Sequence, residues 1–399
     1  MPEIRFKDFK DKWKHFSFKE ITYKAGIKNS ENLSLESYSI SNELGFIPQK
    51  EQFENGGTMS KADKRMYYIV SSNSFAYNPA RINVGSLGYY QGVKDVIVSS
   101  LYEVFKTSDI VDDIFLLYWF KTTIFKRMIE QYQEGGVRLY FFFDKLQKCQ
   151  IKIPSLQEQK KIASYFKKLD SLIQTTSRKL ESLKKIKAAS LQSMFPQEGE
   201  TVPKVRFKGF EGEWEKEKLS KLLVERHEIS TITDKLPQLS FTISEGIIYP
   251  DDRKSNKRDF LIKDIVNKKY LITYVGDIIY NPANVIYGAI HRNSLCNGVV
   301  SPIYKIFSTE QDSNFMECIV RNPTFISQLS MKTEGTVTKL KTLKPESFLE
   351  MIVKIAPSIK EQQKIASYFC NLDKQISLQT QRLEKLKQIK AACLDKMFV

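Results

Sequence analysis

From Ile162 onward, apolar and small residues recur at alternating steps of four and three: Ile162, Phe166, Leu169, Ile173, Thr176, Leu180, Leu183, Lys187, Ser190 and Met194. The same stripe returns as Ile365, Phe369, Leu372, Ile376, Gln379, Leu383, Leu386, Lys390, Cys393 and Met397. A 4-3 spacing kept over about five heptads predicts a coiled-coil helix, because its seam is too narrow for a helix buried on several sides. Ser155 ahead of Glu158, and Ser358 ahead of Glu361, read as capping boxes at the helix starts, and Pro154 excludes helix upstream. A helix of about 40 residues rises roughly 60 Å. Two matching helices in one chain are expected to pack on each other, antiparallel because a whole domain separates them. Thr176 and Gln379 put polar groups at equivalent seam positions, where they would fix register. The last heptad departs from the ideal, with Lys187 and Lys390 in the seam and Ile186 and Ile389 beside it.

The repetition is wider than the helices. PSLQEQKKIASYF at Pro154 returns as PSIKEQQKIASYF at Pro357, and residues 154–195 match 357–398 at 24 of 42 aligned positions. PEIRFKDFKDKW at Pro2 returns as PKVRFKGFEGEW at Pro203, YNPARINVGSLG at Tyr77 as YNPANVIYGAIH at Tyr280, and EGGV at Glu134 as EGTV at Glu334. Between these landmarks the copies diverge. A repeat of this kind constrains the whole architecture: two copies of one unit, each a variable part followed by a nearly invariant helix.

Short strand-like runs (RMYYIVSS, INVGSLGYY, YLITYVGDIIY, VVSPIYKIF) broken by Gly, Asn and Pro precede helical stretches at FLLYWFKTTIFKRMIEQY and NFMECIVRNPTFISQL. The expected fold class is α/β (α+β): two pseudo-symmetric domains, separated and joined by two long helices that form an antiparallel intramolecular coiled coil. The boundaries read as 1–153, 154–198, 199–356 and 357–399.

Charge narrows the function. The chain has 62 Lys+Arg against 46 Asp+Glu, a formal net charge of +16, which points to a polyanionic partner, nucleic acid ahead of an anionic membrane. A lysine-rich proteome is the bland alternative. The five cysteines (Cys149, Cys296, Cys318, Cys370, Cys393) show no CxxC and no pairing by spacing, so reduced thiols fit best. The N-terminus has no apolar core of signal-peptide type, and no apolar run approaches the roughly 18 residues of a span, so a cytoplasmic protein is expected.

Catalytic equipment is missing from the sequence: no GxxxxGK[ST], no GxGxxG, and three histidines (His15, His227, His291) without metal-ligand spacing. YNPA at Tyr77 and Tyr280 lacks the second proline and aromatic of a base-flipping Asn-Pro-Pro motif and reads as a turn ending a strand. PDDRK at Pro250 has its charges too close for a nuclease cluster and no counterpart in the first copy, so it reads as a solvated loop. No catalytic residue and no metal site are assigned.

Candidates for DNA contact are of another kind. Arg81, Asn83, Tyr89, Tyr90 and Gln91 surround two glycines in the first copy, and Asn284, Tyr287, His291, Arg292 and Asn293 occupy the aligned stretch of the second. Planar donors and acceptors suit bidentate reading of base edges, and glycine lets backbone come close. Arg138, Tyr140 and Lys145, with Thr336, Thr338, Lys339 and Lys341, form a second candidate surface. Lys61, Lys64 and Arg65, and Arg253, Lys254, Lys257 and Arg258, suit phosphate contacts without sequence preference.

An EQxxIA phrase opening a long helix, present twice, each time after a divergent domain with YNP…G and EG-small-V, closely resembles the specificity subunit of type I restriction-modification enzymes. The resemblance spans essentially the whole chain. It implies a non-catalytic subunit with two target-recognition domains. Each reads one half of a bipartite, asymmetric site in double-stranded DNA, and the paired helices set the gap. Half-sites about one helical turn, roughly 34 Å, apart would suit such a ruler. It further implies docking of two DNA adenine methyltransferase subunits and, in the full complex, two restriction/translocase subunits, with S-adenosylmethionine, ATP and magnesium belonging to those partners and no cofactor in this chain. Asn284 stands where the first copy has Arg81, so contacts do not carry from copy to copy. The competing expectations are a coiled-coil protein-interaction adaptor with incidental charge and a recognition module of a differently arranged restriction system.

Overall fold

The computed structural model describes residues 1–52, 63–253, 268–333 and 342–399. The chain forms two compact units, residues 1–177 with 381–399, and residues 178–380. Every strand pair formed between named strands is antiparallel, so the mixed fold is of the α+β kind.

In the first unit a four-stranded sheet runs Thr22–Lys24, Glu103–Thr107, Ser74–Tyr77, Leu87–Tyr90 in spatial order. A three-stranded sheet (Ile27–Lys28, Tyr68–Val70, Val96–Val98) and a hairpin (Tyr38–Ser41 with Gly45–Pro48) accompany it. The second unit repeats this plan. Its four-stranded sheet is Val224–Glu225, Lys305–Ser308, Ile278–Tyr280, Ile290–Arg292; its three-stranded sheet is Ile229–Ser230, Tyr270–Thr273, Gly298–Val300; its hairpin is Ser240–Thr242 with Gly246–Ile248.

Helix starts are written locally in both copies. Asp112 caps Asp113–Trp119 by accepting from the Phe115 N–H, and Asp312 caps Ser313–Val320 through Phe315. Thr122 and Asn322 cap the following helices, Thr123–Tyr132 and Pro323–Lys332, the second strengthened by Pro323 at its first turn. Aromatic residues then fill each core. Phe75 stacks on Phe105 with centroids 5.0 Å apart, and Tyr280 on Phe307 at 5.9 Å. Each such side chain removes on the order of 150–250 Å² from water, the main gain that offsets ordering the chain.

The two stripes form continuous helices, Leu156–Ser193 (the central helix) and Ile359–Lys396 (the terminal helix). In the first unit the early turns of the central helix meet the last turns of the terminal helix. Tyr165 meets Cys393 at 3.4 Å, Asp170 meets Lys390 at 2.5 Å, and Phe166 stacks on Phe398 at 5.8 Å. In the second unit Lys187 meets Asp373 at 2.5 Å, Ser190 meets Tyr368 at 2.9 Å, and Phe195 lies 6.0 Å from Phe369. From Tyr165–Cys393 to Asp170–Lys390, and from Lys187–Asp373 to Ser190–Tyr368, the number rises on one helix as it falls on the other, so within each unit the helices run antiparallel.

Of the stripe residues, Ile162 and Phe166 are buried in the core of the first unit and Leu183, Ile365, Phe369 and Leu372 in that of the second; Leu169 and Leu180 are also buried, and Ile173, Ile376, Leu383 and Leu386 half-buried. The antiparallel register explains the irregular last heptad. Lys390 and Lys187 reach Asp170 and Asp373, the aspartates of the repeated LD dipeptide. Polar seam positions at the end of one helix are thus matched by polar groups near the start of the other.

The capping-box reading needs correction at Glu158 and Glu361. Ser155 does accept from the Glu158 N–H at 3.4 Å, but the Glu158 carboxylate turns to Arg5, meeting its Nε and Nη2 at 2.7 and 2.8 Å. Glu361 holds Arg206 at the same two distances. A guanidinium fork offers two charge-assisted bonds, stronger than the single backbone donor a box supplies. The neighbouring glutamines tie loops together. Gln159 donates to the Pro154 and Ile110 carbonyls and accepts from the Asp112 N–H; Gln362 donates to the Ala356 carbonyl and accepts from the Asp312 N–H. The EQ pair therefore recurs for internal reasons: each copy anchors its own N-terminal phrase and its own helix cap.

Candidate nucleic-acid interface

The YNPA…G landmark folds into the same turn in both units. Asn78 accepts from the Ala80 N–H and Asn281 from the Ala283 N–H, both at 3.0 Å. A single 3-10 turn follows, Ile82–Val84 or Val285–Tyr287, closed by Gly85 at φ 92° or Gly288 at φ 85°. That left-handed closure favours glycine. The Pro79 and Pro282 carbonyls accept from the Phe141 and Leu343 N–H groups, fixing each turn to the following segment.

On this common frame the side chains differ. Arg81, Asn83 and Val84 stand exposed in the first unit; in the second, Tyr287 is 69% exposed and Asn284 half-buried. Gln91 is also exposed. Arg138 lies exposed on the 134–140 loop, where Glu134 and Tyr140 bridge and Gly135 takes φ 134°. Tyr140 stacks on Phe142 with centroids 5.5 Å apart, and Lys145 is ion-paired to Glu134 at 2.7 Å and Asp144 at 3.3 Å. Lys64 is half-buried, Arg65 exposed beside Asp63, and Arg253 half-buried. Lys61, Lys254, Lys257, Arg258, Thr336, Thr338, Lys339 and Lys341 lie outside the described residues.

Five candidates point inward instead. Tyr89 donates to Asp113 at 2.6 Å; its burial, and then that carboxylate, hold the phenol above its usual range. Tyr90, also pushed up by burial, donates to the Lys94 carbonyl. The Arg292 side chain turns toward Glu317, its Nε 3.8 Å from Oε2, and its backbone N–H donates to Oε1 at 3.2 Å. Asn293 is fully buried, donating to Thr273 and to the Cys296 carbonyl and accepting from the Leu295 N–H. His291, 3% exposed, lies 2.7 Å from the Arg321 guanidinium through Nδ1 and 2.8 Å from the Ile243 carbonyl through Nε2. Since arginine can only donate, Nδ1 accepts and Nε2–H donates. Strands Leu87–Tyr90 and Ile290–Arg292 carry a hairpin on one side and helices on the other. A polar residue there meets protein on either face, which strand alternation alone does not reveal.

Beside each turn lies a cleft. The first, about 480 Å³, is bordered by Asn42, Glu43 and Leu44 of the hairpin tip, by Asn83, and by Lys121 and Lys126. The second, about 430 Å³, is bordered by Ile243, Ser244 and Glu245, by Asn284, and by Arg253. The hairpin tips escaped the sequence reading, which lacked any signal that they fold back beside the turn. Among the described residues no group of three or more His, Cys, Asp or Glu is placed to hold a metal ion, and no helix is long and apolar enough to cross a membrane.

Residues 11–185 match the family model described as the type I restriction modification DNA specificity domain. The chain is 23% identical over 347 residues to the type I restriction enzyme MjaVIII specificity subunit of Methanocaldococcus jannaschii, covering 82% of this chain and 78% of that one. The crystal structure of the type I restriction-modification system S subunit from M. genitalium shares the fold, with a TM-score of 0.59 at 14% identity over 100% of this chain and 99% of that one. The matched domain spans residues 11–185, and the shared fold and the doubled helix phrase extend the similarity to type I restriction-modification specificity subunits over the rest of the chain.

Proposed function

We propose that each unit reads one half of a bipartite, asymmetric site in double-stranded DNA, and that the paired helices set the gap between the halves and dock the partner subunits. One observation carries this reading: the same backbone turn, closed by the same left-handed glycine, presents Arg81, Asn83 and Val84 in one unit and Asn284 and Tyr287 in the other. A constant frame with exchanged side chains is what two readers of different base sequences require. The surplus of basic residues supplies attraction to phosphates that is independent of sequence.

The helices repeat an outward-facing patch as well as their seam. Glu181, Lys184, Ile186 and Ala189 are exposed on the central helix, and Glu384, Lys387, Ile389 and Ala392, identical residues, on the terminal helix. Identical exposed surfaces suit two identical partners, here two DNA adenine methyltransferase subunits, with two restriction/translocase subunits in the full complex. S-adenosylmethionine, ATP and magnesium are carried by those partners, on cytoplasmic DNA.

Sequencing N6-methyladenine in cells that carry this protein and its methyltransferase tests the reading. A split motif with a fixed, non-specific gap is expected; a continuous motif, or no motif, overturns it.

A further inference from the structure

The hairpin tips are held beside the reading turns with more structure than a surface loop needs. In the first unit the Phe46 ring fills the space over Gly88, where an added Cβ would stand 2.9 Å from it. In the second unit the arrangement is exchanged. His291 occupies the strand position equivalent to Gly88, and Gly246, at φ 71°, leaves the room; a Cβ there would sit 2.8 Å from the His291 ring. His291 then holds the tip through the Ile243 carbonyl and is itself held by Arg321. Two different packings thus bring the same element to the same place.

Each tip ends in a left-handed glycine, Gly45 at φ 70° or Gly246 at φ 71°, preceded by three exposed residues. Those residues are Asn42, Glu43 and Leu44 in one unit and Ile243, Ser244 and Glu245 in the other, so again the backbone is kept and the chemistry exchanged. Cations border both clefts beneath the tips: Lys121 and Lys126, and Arg253. We infer that the hairpin tip is a second specificity-determining element in each unit, contacting base edges beside those met by the 3-10 turn, and that His291 is the positioning residue for the tip of the second unit. Carboxylates accept from the cytosine amino group, asparagine pairs with adenine, and a leucine or isoleucine side chain meets the thymine methyl, so these residue types can discriminate bases. The inference rests on the half-site reading proposed above.

The test places the first tip on the second unit, Ile243→Asn with Ser244→Glu and Glu245→Leu, in the full chain with its methyltransferase, and maps methylated adenines in cells. One or two base positions in a single half-site are expected to change, with the other half-site and the gap kept. An unchanged motif, beside a wild-type motif that is split, overturns the hairpin role and leaves the half-site reading standing; a wild-type motif that is not split overturns the reading itself. Should the exchange abolish methylation, Ser244→Ala and Glu245→Gln decide, by methylation rates on duplexes carrying single base changes. About tenfold or greater loss of discrimination at particular positions supports the role, and uniform or no loss overturns it. His291→Ala is expected to erase discrimination at those same positions only, with His291→Gln, which can still donate to Ile243, restoring part of it. An equal effect at every position of that half-site refutes the positioning role.

Discussion

Replacing Arg5 by methionine keeps the aliphatic bulk and removes the guanidinium that meets both oxygens of Glu158, at 2.7 and 2.8 Å. Glu158 is 1% exposed, so its charge is left inside the protein without a counter-ion. Removing one partner of a buried pair costs about 3–5 kcal/mol. The Arg5 side chain keeps 11% of its surface, and water can enter from that side, so the low end, about 3 kcal/mol, is expected. At about 1.4 kcal/mol per decade, the helix start should then open roughly a hundredfold more often. Hydrogen exchange read by mass spectrometry checks this directly. Amides of 158–166 should exchange about a hundredfold faster, while those of 361–369, held by Arg206, should not change; Arg206→Met should give the mirror result. The double variant with Arg5→Met and Glu158→Met should recover most of the protection, because an apolar replacement of both partners is close to neutral. Less than a threefold change in the single variant, or a double variant no better protected, would refute the argument that the buried pair pins the helix.

Three further outcomes are expected. Ile186→Lys and Ile389→Lys should each remove one methyltransferase subunit from the assembly, and the pair both, by native mass spectrometry; unaltered stoichiometry refutes the repeated-patch docking. The phenols of Tyr77, Tyr118 and Tyr280 are pushed up by burial, so the folded chain keeps protons that the unfolded chain releases near pH 10. Their contribution is complete below that pH and lost as pH rises above it, by up to about 1.4 kcal/mol per pH unit for each group. Tyr118→Phe should flatten the slope of urea-unfolding stability above pH 10 by one group's share, and an unchanged slope would show that this phenol titrates normally. Inserting one heptad into both helices adds about 10 Å of rise, or about three base-pair steps of 3.4 Å. The recognised gap should lengthen by that amount with both half-sites kept, and altered half-sites would refute the ruler.

Reading along the chain was most successful where the information was local and periodic. A 3.5-residue repeat shows its period without knowledge of its partner, so the seam from Ile162 to Leu183 and from Ile365 to Leu386 was legible. The YNPA turns were legible for a similar reason, since proline and glycine constrain their own backbone. The cleft was not. Tyr89, His291 and Asn293 look like recognition residues in a list of planar side chains. Their commitment to Asp113, Arg321 and Thr273 depends on partners 20 to 30 residues away in the chain, brought alongside only by the fold.

The sequence alone therefore determined that the chain is doubled, that its two copies share helices and differ in what precedes them, and that the helices need partners. Composition and periodicity record which surfaces must leave water. Only tertiary structure decided which polar groups would face one another once they had left it. Glu158 and Arg5 lie 153 residues apart in the chain, and Lys390 and Asp170 farther still, so no local pattern could join them. A hydrogen bond is specified by distance and direction in space, and those are fixed only when the core has closed.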